Sequence, residues 1–76
     1  MDYIDRLIAL RIARKLTQAK LAKIINKSQP GYDHIEKRRA RLTIEDFMRL
    51  CEFYNIRPEY FLGYIQEERP LFEEIE

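Results

Sequence analysis

Apolar side chains recur along this chain at intervals of three and four residues, and that spacing restricts the possible folds more than any other feature. Residues three or four apart share one face of an α-helix, so the spacing predicts amphipathic helices. The chain has 76 residues with only two glycines and three prolines, which leaves room for one domain with few long loops. We therefore expect a single all-α domain.

The first predicted helix covers about residues 3–15. An acidic residue near its start, Asp2 or Asp5, favours the positive end of the helix dipole. Its apolar stripe, which predicts the inward face, consists of Ile4, Leu7, Ile8 and Ile12.

Hydroxyl residues mark the starts of three further helices. A Ser or Thr oxygen at the N-cap accepts a backbone N–H that the first helical turn leaves unpaired. The predicted caps are Thr17, Ser28 and Thr43, and Asp46 follows Thr43 in a near capping box. The apolar faces of these helices consist of Leu21, Ala22, Ile24 and Ile25, then Tyr32 and Ile35, then Phe47, Leu50, Cys51 and Tyr54.

Helix ends and connections follow from residues with special backbone preferences. Asn26 and Asn55 tolerate the left-handed conformation that commonly ends a helix. The charged, aperiodic stretch 37–42 predicts a loop, and Pro58 begins a short fifth helix. Gly31 is expected to weaken the third helix by roughly 1 kcal/mol relative to Ala. The fifth helix bears Tyr60, Phe61 and Leu62.

Charge is unevenly distributed, although the net charge is only +1. Residues 11–41 hold ten basic and two acidic residues, a formal net charge of +8. Residues 58–76 hold six glutamates and Arg69, a formal net charge of −5. Such asymmetry indicates either a polyanion partner for the basic segment or a basic surface that is merely solvated.

Several classes of function are disfavoured by the residue content. A single cysteine, Cys51, and a single histidine, His34, exclude an internal disulfide and a structural zinc site, and they fit a reducing cytoplasm. The N-terminus lacks a signal-peptide pattern, and no stretch approaches the roughly 20 apolar residues of a membrane span. Because no catalytic constellation occurs either, we expect a cytoplasmic non-enzyme without a metal, cofactor or small-molecule substrate. Cys51 itself is expected to be buried and inert.

The second and third predicted helices are separated by about three residues, which is typical of two helices that meet at a steep angle. The third helix divides its residues between two faces, with Tyr32 and Ile35 inward. Its outward residues are Gln29, Pro30, Asp33 and His34. The major groove of DNA admits a helix and presents distinct donors and acceptors, so this pattern predicts a recognition helix.

Several motifs in a fixed register resemble those of the Cro/cI-type (xenobiotic-response-element) helix-turn-helix family. The run from Leu16 to Ala22, Leu-Thr-Gln-Ala-Lys-Leu-Ala, is similar to the opening motif LTQxxLA of that family. Further matches, in register, are Leu10-Arg11, Ser28-Gln29, Ile35-Glu36, Thr43-Ile44-Glu45, Leu50-Cys51 and Asn55-Ile56. The resemblance covers about residues 4–62.

The resemblance implies a five-helix, lambda-repressor-like fold that binds double-stranded DNA as a two-fold homodimer, on an operator of two half-sites. It implies base contacts from Gln29, Pro30, Asp33 and His34. It implies phosphate contacts from Gln18, Lys27, Ser28, Lys37, Arg39 and Arg41. It also implies an ion pair between Arg11 and Glu36 that joins the first helix to the third.

Three departures from the family pattern bear on base recognition. The family often has Gly where this chain has Arg38, so Arg38 must adopt an unusual backbone conformation or end the helix differently. Pro30-Gly31 is unusual at the start of a recognition helix, and we expect it to loosen the turn. Asp33 would repel phosphate if it pointed at DNA.

Two functions are compatible with the sequence. The first is a transcriptional repressor that binds a palindromic operator as a homodimer. The second is a protein-interaction module on the same fold, such as an antitoxin or an antagonist of a related repressor, which the weak net charge, Pro30-Gly31 and the acidic tail favour. We assign residues 1–64 to the domain and residues 65–76 to a tail that is partly ordered or contacts the dimer. The apolar residues of this tail are Ile65, Leu71, Phe72 and Ile75.

Overall fold

The computed structural model describes residues 1–73 and contains five α-helices joined by short turns. The helices are α1 (Tyr3–Ala13), α2 (Gln18–Ile24), α3 (Gln29–Glu36), α4 (Ile44–Tyr54) and α5 (Pro58–Phe61). No strand occurs in this part of the chain, and none of its helices is long and apolar enough to cross a bilayer. The all-α fold class and the five helices are therefore confirmed.

Side-chain caps begin four of the five helices. The hydroxyls of Thr17, Ser28 and Thr43 accept the backbone N–H three residues further on, at 3.1–3.2 Å, as predicted. At the start of α1, Asp2 and Asp5 form a reciprocal capping box, where the sequence predicts only a favourable acidic residue. These bonds stabilise each helix start, because the first turn cannot pair its own N–H groups.

Residues in the left-handed conformation end four helices. Asn26 and Asn55 have φ angles of 57° and 53°, as predicted, and Lys15 and Arg38 have φ angles of 58° and 61°. At each site the next residue's N–H donates to the carbonyl five residues before it, at 2.8–3.0 Å, which pairs an oxygen that the helix end leaves free. Because Lys15 reverses the chain, α1 ends at Ala13, two residues earlier than expected.

One apolar core holds the helices together and contains most of the side chains predicted to face inward. Its buried members are Ile4, Leu7, Leu10, Leu21, Ala22, Ile25, Tyr32, Ile35, Phe47, Leu50, Cys51, Tyr54, Ile56 and Phe61. The Phe47 ring contacts the rings of Tyr3 and Phe61, at centroid distances of 6.0 and 5.9 Å, and so joins α1, α4 and α5. Cys51 is a free thiol in this core, and burial raises its pKa to about 11, which keeps the thiol protonated.

Ile12, which was assigned to the inward face of the first helix, and Leu62, which was assigned to the fifth helix, both lie at the surface. Ile12 is 60% exposed, because it follows Leu7 by five residues and so lies about 140° away from it around α1. Leu10 occupies the inward position in its place. Leu62 is 51% exposed, because it lies beyond the last residue of α5, Phe61.

Pro30 and Gly31 lie in the first turn of α3, and a complete cap forms there. Pro30 has no backbone N–H, and it lies in the first turn, where residues make no N–H bond within the helix. The Gly31 N–H donates to Ser28 Oγ at 3.2 Å. A Cβ atom on Gly31 would lie 3.1 Å from that oxygen, closer than ordinary van der Waals contact. The caps of α2 and α4 form in the same way with Lys20 and Asp46, which carry a Cβ, at the equivalent position. The expectation that Gly31 weakens α3 therefore stays a prediction.

The C-terminal segment 65–73 lies against the domain in two places. The first is the turn after α4, where the Asn55 side chain exchanges two hydrogen bonds with the backbone of Phe72, at 2.8 and 3.5 Å. Beside it, the Arg57 N–H donates to the Arg69 carbonyl at 2.8 Å. These bonds pair the segment with the connection between α4 and α5.

The second place is α1, which contacts the segment through Arg6 and, at the end of the helix, Arg14. The Arg6 guanidinium donates to the Gln66 side chain at 3.1 Å, and Arg14 forms a 2.9 Å ion pair with Glu68. Up to residue 73, the tail is thus bound to its own chain. The remaining apolar residue predicted for the tail, Ile75, lies outside the described residues.

Removing the tail should destabilise the domain. Truncation after Tyr64 deletes the partners of Arg6, Arg14 and Asn55, and we expect a loss of about 1–2 kcal/mol in the free energy of unfolding, because these contacts are partly solvated. Urea unfolding measures this loss. As a control, Glu68→Gln removes one exposed ion pair and should cost less than about 1 kcal/mol. An unchanged unfolding midpoint for the truncated chain would contradict the role of the tail contacts.

Candidate nucleic-acid interface

The helices α2 and α3 pack against each other and are joined by residues 25–28. Ile25 in this turn is buried, and Asn26 reverses the chain in the left-handed conformation. Tyr32 and Ile35 anchor the inner side of α3, and both are buried. One side of α3 is thereby attached to the core, and the other side is free to meet a ligand.

The outward side of α3 carries the residues predicted to contact bases. Gln29, Pro30 and His34 are exposed, and Asp33 is half-buried. Gln29 and Pro30 open the helix, and His34 follows one turn later. The division of α3 into an apolar inner side and a polar outer side agrees with the predicted recognition helix, and the contacts of each residue with DNA stay predictions.

A buried ion pair attaches α3 to α1, between the two residues that the resemblance pairs. Arg11 donates from Nε to Glu36 Oε2 at 2.7 Å and from Nη2 to Oε1 at 3.0 Å, and this two-point contact aligns both planar groups. Only 15% of the Arg11 side chain and 8% of the Glu36 side chain are exposed. Arg11 Nη1 also donates to the Leu16 carbonyl at 3.1 Å, so the contact extends to the connection between α1 and α2.

Gln18, the first residue of α2, also donates to Glu36, so that α2 joins the cluster formed by Arg11 and Glu36. Its Nε2 donates to Asp33 Oδ1 at 2.9 Å and to Glu36 Oε1 at 3.0 Å. The resemblance implies a phosphate contact through this amide, but in the structure the amide nitrogen faces two carboxylates of the protein. Spacing along the chain gives no signal of this contact, because it joins residues 15 and 18 positions apart.

Hydrogen bonds keep Glu36 ionised despite its burial. Burial by itself would raise the pKa of the Glu36 carboxyl, but donation from Arg11, Gln18 and Tyr32 outweighs this effect, and the pKa lies below its usual value. Burial and the bond to Glu36 raise the pKa of the Tyr32 hydroxyl, which therefore stays protonated and able to donate. The cluster is thus a carboxylate surrounded by donors.

Asp33 and Lys37 form a pair along α3, four residues apart. Lys37 Nζ lies 2.8 Å from Asp33 Oδ2, while Asp33 Oδ1 accepts from Gln18. The bond from Lys37, followed by that from Gln18, lowers the pKa of the Asp33 carboxyl. Both oxygens are engaged within the protein and the charge is compensated, which reduces the repulsion of phosphate expected from the sequence.

Lys27, in the turn between α2 and α3, lies beside a buried carboxylate. Its Nζ is 3.7 Å from Asp46 Oδ2, and Arg49 donates to Asp46 Oδ1 at 3.1 Å. The sequence predicts only a capping role for Asp46, but this residue is 5% exposed, and a buried charge requires compensation. The two cations supply it and attach the start of α4 to the turn.

Arg38 makes a contact that the sequence did not reveal. Its Nη2 lies 2.9 Å from Asp2 Oδ1 and 2.7 Å from Asp5 Oδ1, which joins the end of α3 to the start of α1. Its left-handed backbone, at a position where the family often has Gly, is one of the two outcomes that the sequence allows. Because 33 or more residues separate these partners, spacing alone could not pair them.

Arg39, Arg41 and Ser28 complete the set of predicted phosphate contacts. Both arginines are exposed, and neither forms a salt bridge with residues 1–73. Ser28 is exposed as well, although its hydroxyl caps α3. These two arginines therefore differ from Lys27 and Lys37, which both lie beside carboxylates.

A shallow depression of about 380 Å³ opens where α2 and α3 begin. It is lined by Gln18, Gln29, Pro30 and Asp33. It thus brings Gln18 together with three of the four residues predicted to contact bases, while His34 lies outside its lining. No group of three or more His, Cys, Asp and Glu side chains suited to a metal ion occurs within residues 1–73.

Comparison with known proteins identifies the same region. A family model described as helix-turn-helix matches residues 7–61, which include most of α1 and all of α2 to α5. No curated protein and no solved structure matches the chain. The matched region contains every residue that the sequence predicts to contact DNA.

The change Glu36→Gln should destabilise the domain and remove part of its sensitivity to acid. It leaves the buried Arg11 guanidinium opposite a neutral amide, so we expect a loss of about 3 kcal/mol or more at neutral pH. Folding lowers the pKa of Glu36, so the ionised carboxylate stabilises the folded state. This stabilisation is complete at pH values above the usual pKa of 4.5 and declines as the pH falls below it. Urea unfolding between pH 7 and pH 3 should show the two stabilities converging in acid. Equal stability at pH 7 would contradict this role.

Proposed function

The chain belongs to the Cro/cI-type (xenobiotic-response-element) family of helix-turn-helix DNA-binding regulators, and on that basis we propose that it represses transcription by binding a palindromic operator as a homodimer. In this proposal α3 enters the major groove and reads base edges. The basic residues around it contact the phosphate backbone. The activity is recognition and binding, without catalytic chemistry.

The observation that carries this proposal is the two-sided construction of α3. Tyr32 and Ile35 are buried in the core, while Gln29, Pro30 and His34 are exposed on the other side. A glutamine can pair with adenine at two points, and an apolar group such as the proline ring can contact the thymine methyl. A histidine can donate to guanine or to a phosphate. We assign base recognition to these three exposed residues.

Phosphate contacts are assigned to the exposed cations that flank α3. Arg39 and Arg41 have no salt bridge within the described residues, so they can bind phosphate without losing a protein partner. The side chains of Lys27 and Lys37 are 38% and 55% exposed, but each lies beside a carboxylate. A phosphate would have to compete with that carboxylate, so we expect smaller contributions from the two lysines.

The homodimer follows from the size of the recognition surface. One recognition helix contacts few base pairs, and a two-fold dimer doubles the contacts on half-sites about one helical turn apart, roughly 34 Å. Leu62 and Tyr64, after α5, are 51% and 80% exposed and provide apolar surface that a second copy could cover. These residues are the ones we expect at the dimer contact.

Two features that favoured a protein-interaction module have roles within the chain itself. Pro30 and Gly31 form the capped first turn of α3, and the tail up to residue 73 binds α1 and the connection after α4. Neither feature therefore requires a protein partner. The repressor is preferred for this reason, and a copurifying protein together with absent DNA affinity would reverse the preference.

Selection of bound duplexes from random DNA tests the proposed function. We expect an enriched sequence with two inverted half-sites, because a two-fold dimer presents two identical α3 helices. Analytical ultracentrifugation of the complex should give two chains per duplex. No sequence preference at moderate salt, or one chain per duplex, would contradict the proposal.

Two substitutions distinguish base contacts from phosphate contacts. Gln29→Ala should relax preference at one base position and cost about 1–3 kcal/mol there, because it removes a base partner. Arg41→Ala should weaken binding to all DNA sequences alike, because it removes a phosphate contact. The slope of log binding constant against log salt concentration should fall in magnitude by about 1. Binding titrations over a series of salt concentrations, with the operator and with position variants, measure both effects. Each variant controls for the other, and a uniform loss in both would contradict the assignment of Gln29.

A further inference from the structure

We propose that Gln18 is a specificity-determining residue, which presents its side-chain carbonyl oxygen to the exocyclic amino group of adenine or cytosine in the major groove. This inference rests on the proposed function, because it requires α3 to lie in that groove. It gives Gln18 a base contact where the resemblance implies a phosphate contact. It gives Asp33 a positioning role where the resemblance implies a base contact.

The amide nitrogen of Gln18 has no N–H left for DNA. It carries two hydrogens, and it lies 2.9 Å from Asp33 Oδ1 and 3.0 Å from Glu36 Oε1. Ionised carboxylates only accept hydrogen bonds, so the nitrogen, and not the carbonyl oxygen, must face them. Each N–H is therefore directed to a carboxylate of the protein.

Both of these carboxylates are held in place by cations. Lys37 Nζ lies 2.8 Å from the other oxygen of Asp33, and Arg11 donates to Glu36 from two nitrogens. Rotation of the Gln18 amide would break two bonds to charged acceptors and bring its own oxygen against them. The orientation of the amide is therefore set by charge before DNA arrives.

The carbonyl oxygen of Gln18 is available on the surface. It accepts no hydrogen bond from residues 1–73. Among these residues, the buried side-chain polar atom without a hydrogen-bond partner is the Tyr54 hydroxyl oxygen, so the unpaired Gln18 oxygen is in contact with solvent. Gln18 also lines the depression that it shares with Gln29 and Pro30. A base edge that enters this depression therefore meets Gln18 beside Gln29 and Pro30.

An acceptor that points outward has a definite choice of partners on DNA. Phosphate oxygens are charged acceptors, so the Gln18 oxygen repels them. In the major groove, the amino groups of adenine and cytosine donate, whereas guanine and thymine present acceptors. Gln18 should therefore favour adenine or cytosine at one position of the strand that it faces and disfavour guanine or thymine.

Asp33 acts on this choice through Gln18. Its two oxygens are occupied by Gln18 and Lys37, so it positions the amide and does not itself meet a base. Removing the carboxylate frees one N–H of Gln18, which can then donate to guanine O6 or thymine O4. The variant Asp33→Ala should thus broaden the base preference at the Gln18 position.

The first experiment uses the operator obtained by selection, with each position changed in turn. For the wild-type chain, guanine or thymine at the Gln18 position should weaken binding roughly tenfold. For Gln18→Ala that discrimination should disappear, while discrimination at the other positions is retained. Gln29→Ala is the matched control, because it should alter a different position.

Modified duplexes separate a base contact from a phosphate contact. Unsubstituted purine in place of adenine, or 2-pyrimidinone in place of cytosine, removes the exocyclic amine and should weaken binding of the wild type but not of Gln18→Ala. A neutral methylphosphonate at the adjoining phosphates should affect both proteins alike. The proposal would be overturned if Gln18→Ala changed the effect of the methylphosphonate on binding but did not change the effect of removing the amine.

The positioning role of Asp33 has its own readout. Asp33→Ala should tolerate guanine or thymine at the Gln18 position, and adding Gln18→Ala should abolish that gain. Thermal unfolding of each variant verifies folding, and Gln18→Met, which keeps the side-chain length, serves if Gln18→Ala unfolds. If the selected operator is recognised equally well by the wild type and by every Gln18 variant, this inference is overturned but the proposed function is not. A selection that returns no preferred sequence overturns the proposed function with it.

Discussion

The position of α3 depends on one buried carboxylate. Glu36, the last residue of α3, accepts hydrogen bonds from Arg11 on α1 and from Gln18 at the start of α2. Its charge is tolerated inside the protein only while these donors stay in place. A pair of this kind contributes little net stability compared with apolar packing, but it penalises arrangements that separate its partners. We infer that it determines how α3 projects from the core.

The need to balance buried negative charge also determines where several cations of the basic segment 11–41 lie. A Lys or Arg lies beside each buried carboxylate, with Arg11 at Glu36 and Lys27 at Asp46, and Lys37 lies beside the half-buried Asp33. Arg39 and Arg41 have no such partner in the part of the chain that the structure describes. The formal charge of +8 on residues 11–41 therefore overstates the number of cations that are free to bind phosphate. Phosphate binding and structural pairing draw on the same residues.

Sequence reasoning succeeded where the physical cause acts within a few residues. The Thr17 hydroxyl at a helix start can accept the N–H three residues further on, and Asn26 tolerates the left-handed region better than most residues do. The inward side of α1 was predicted less well, because spacing alone admits Ile12 as readily as Leu10. Packing against the other helices selected Leu10 and left Ile12 exposed. The early end of α1 at Ala13, ahead of the left-handed Lys15, carried no comparable signal.

The sequence by itself determined the five helices, the hydroxyl caps of three of them and the division of α3 into an apolar and a polar side, because neighbours within one or two turns decide each of these. Only the tertiary structure decided which atom a polar side chain presents to solvent. Arg38 meets Asp2 from 36 positions away, and Gln18 turns its nitrogen toward Asp33 and Glu36. Glutamine carries a donor and an acceptor in nearly the same shape, so its chemistry leaves the choice open. The charges that folding brings within about 3 Å make that choice.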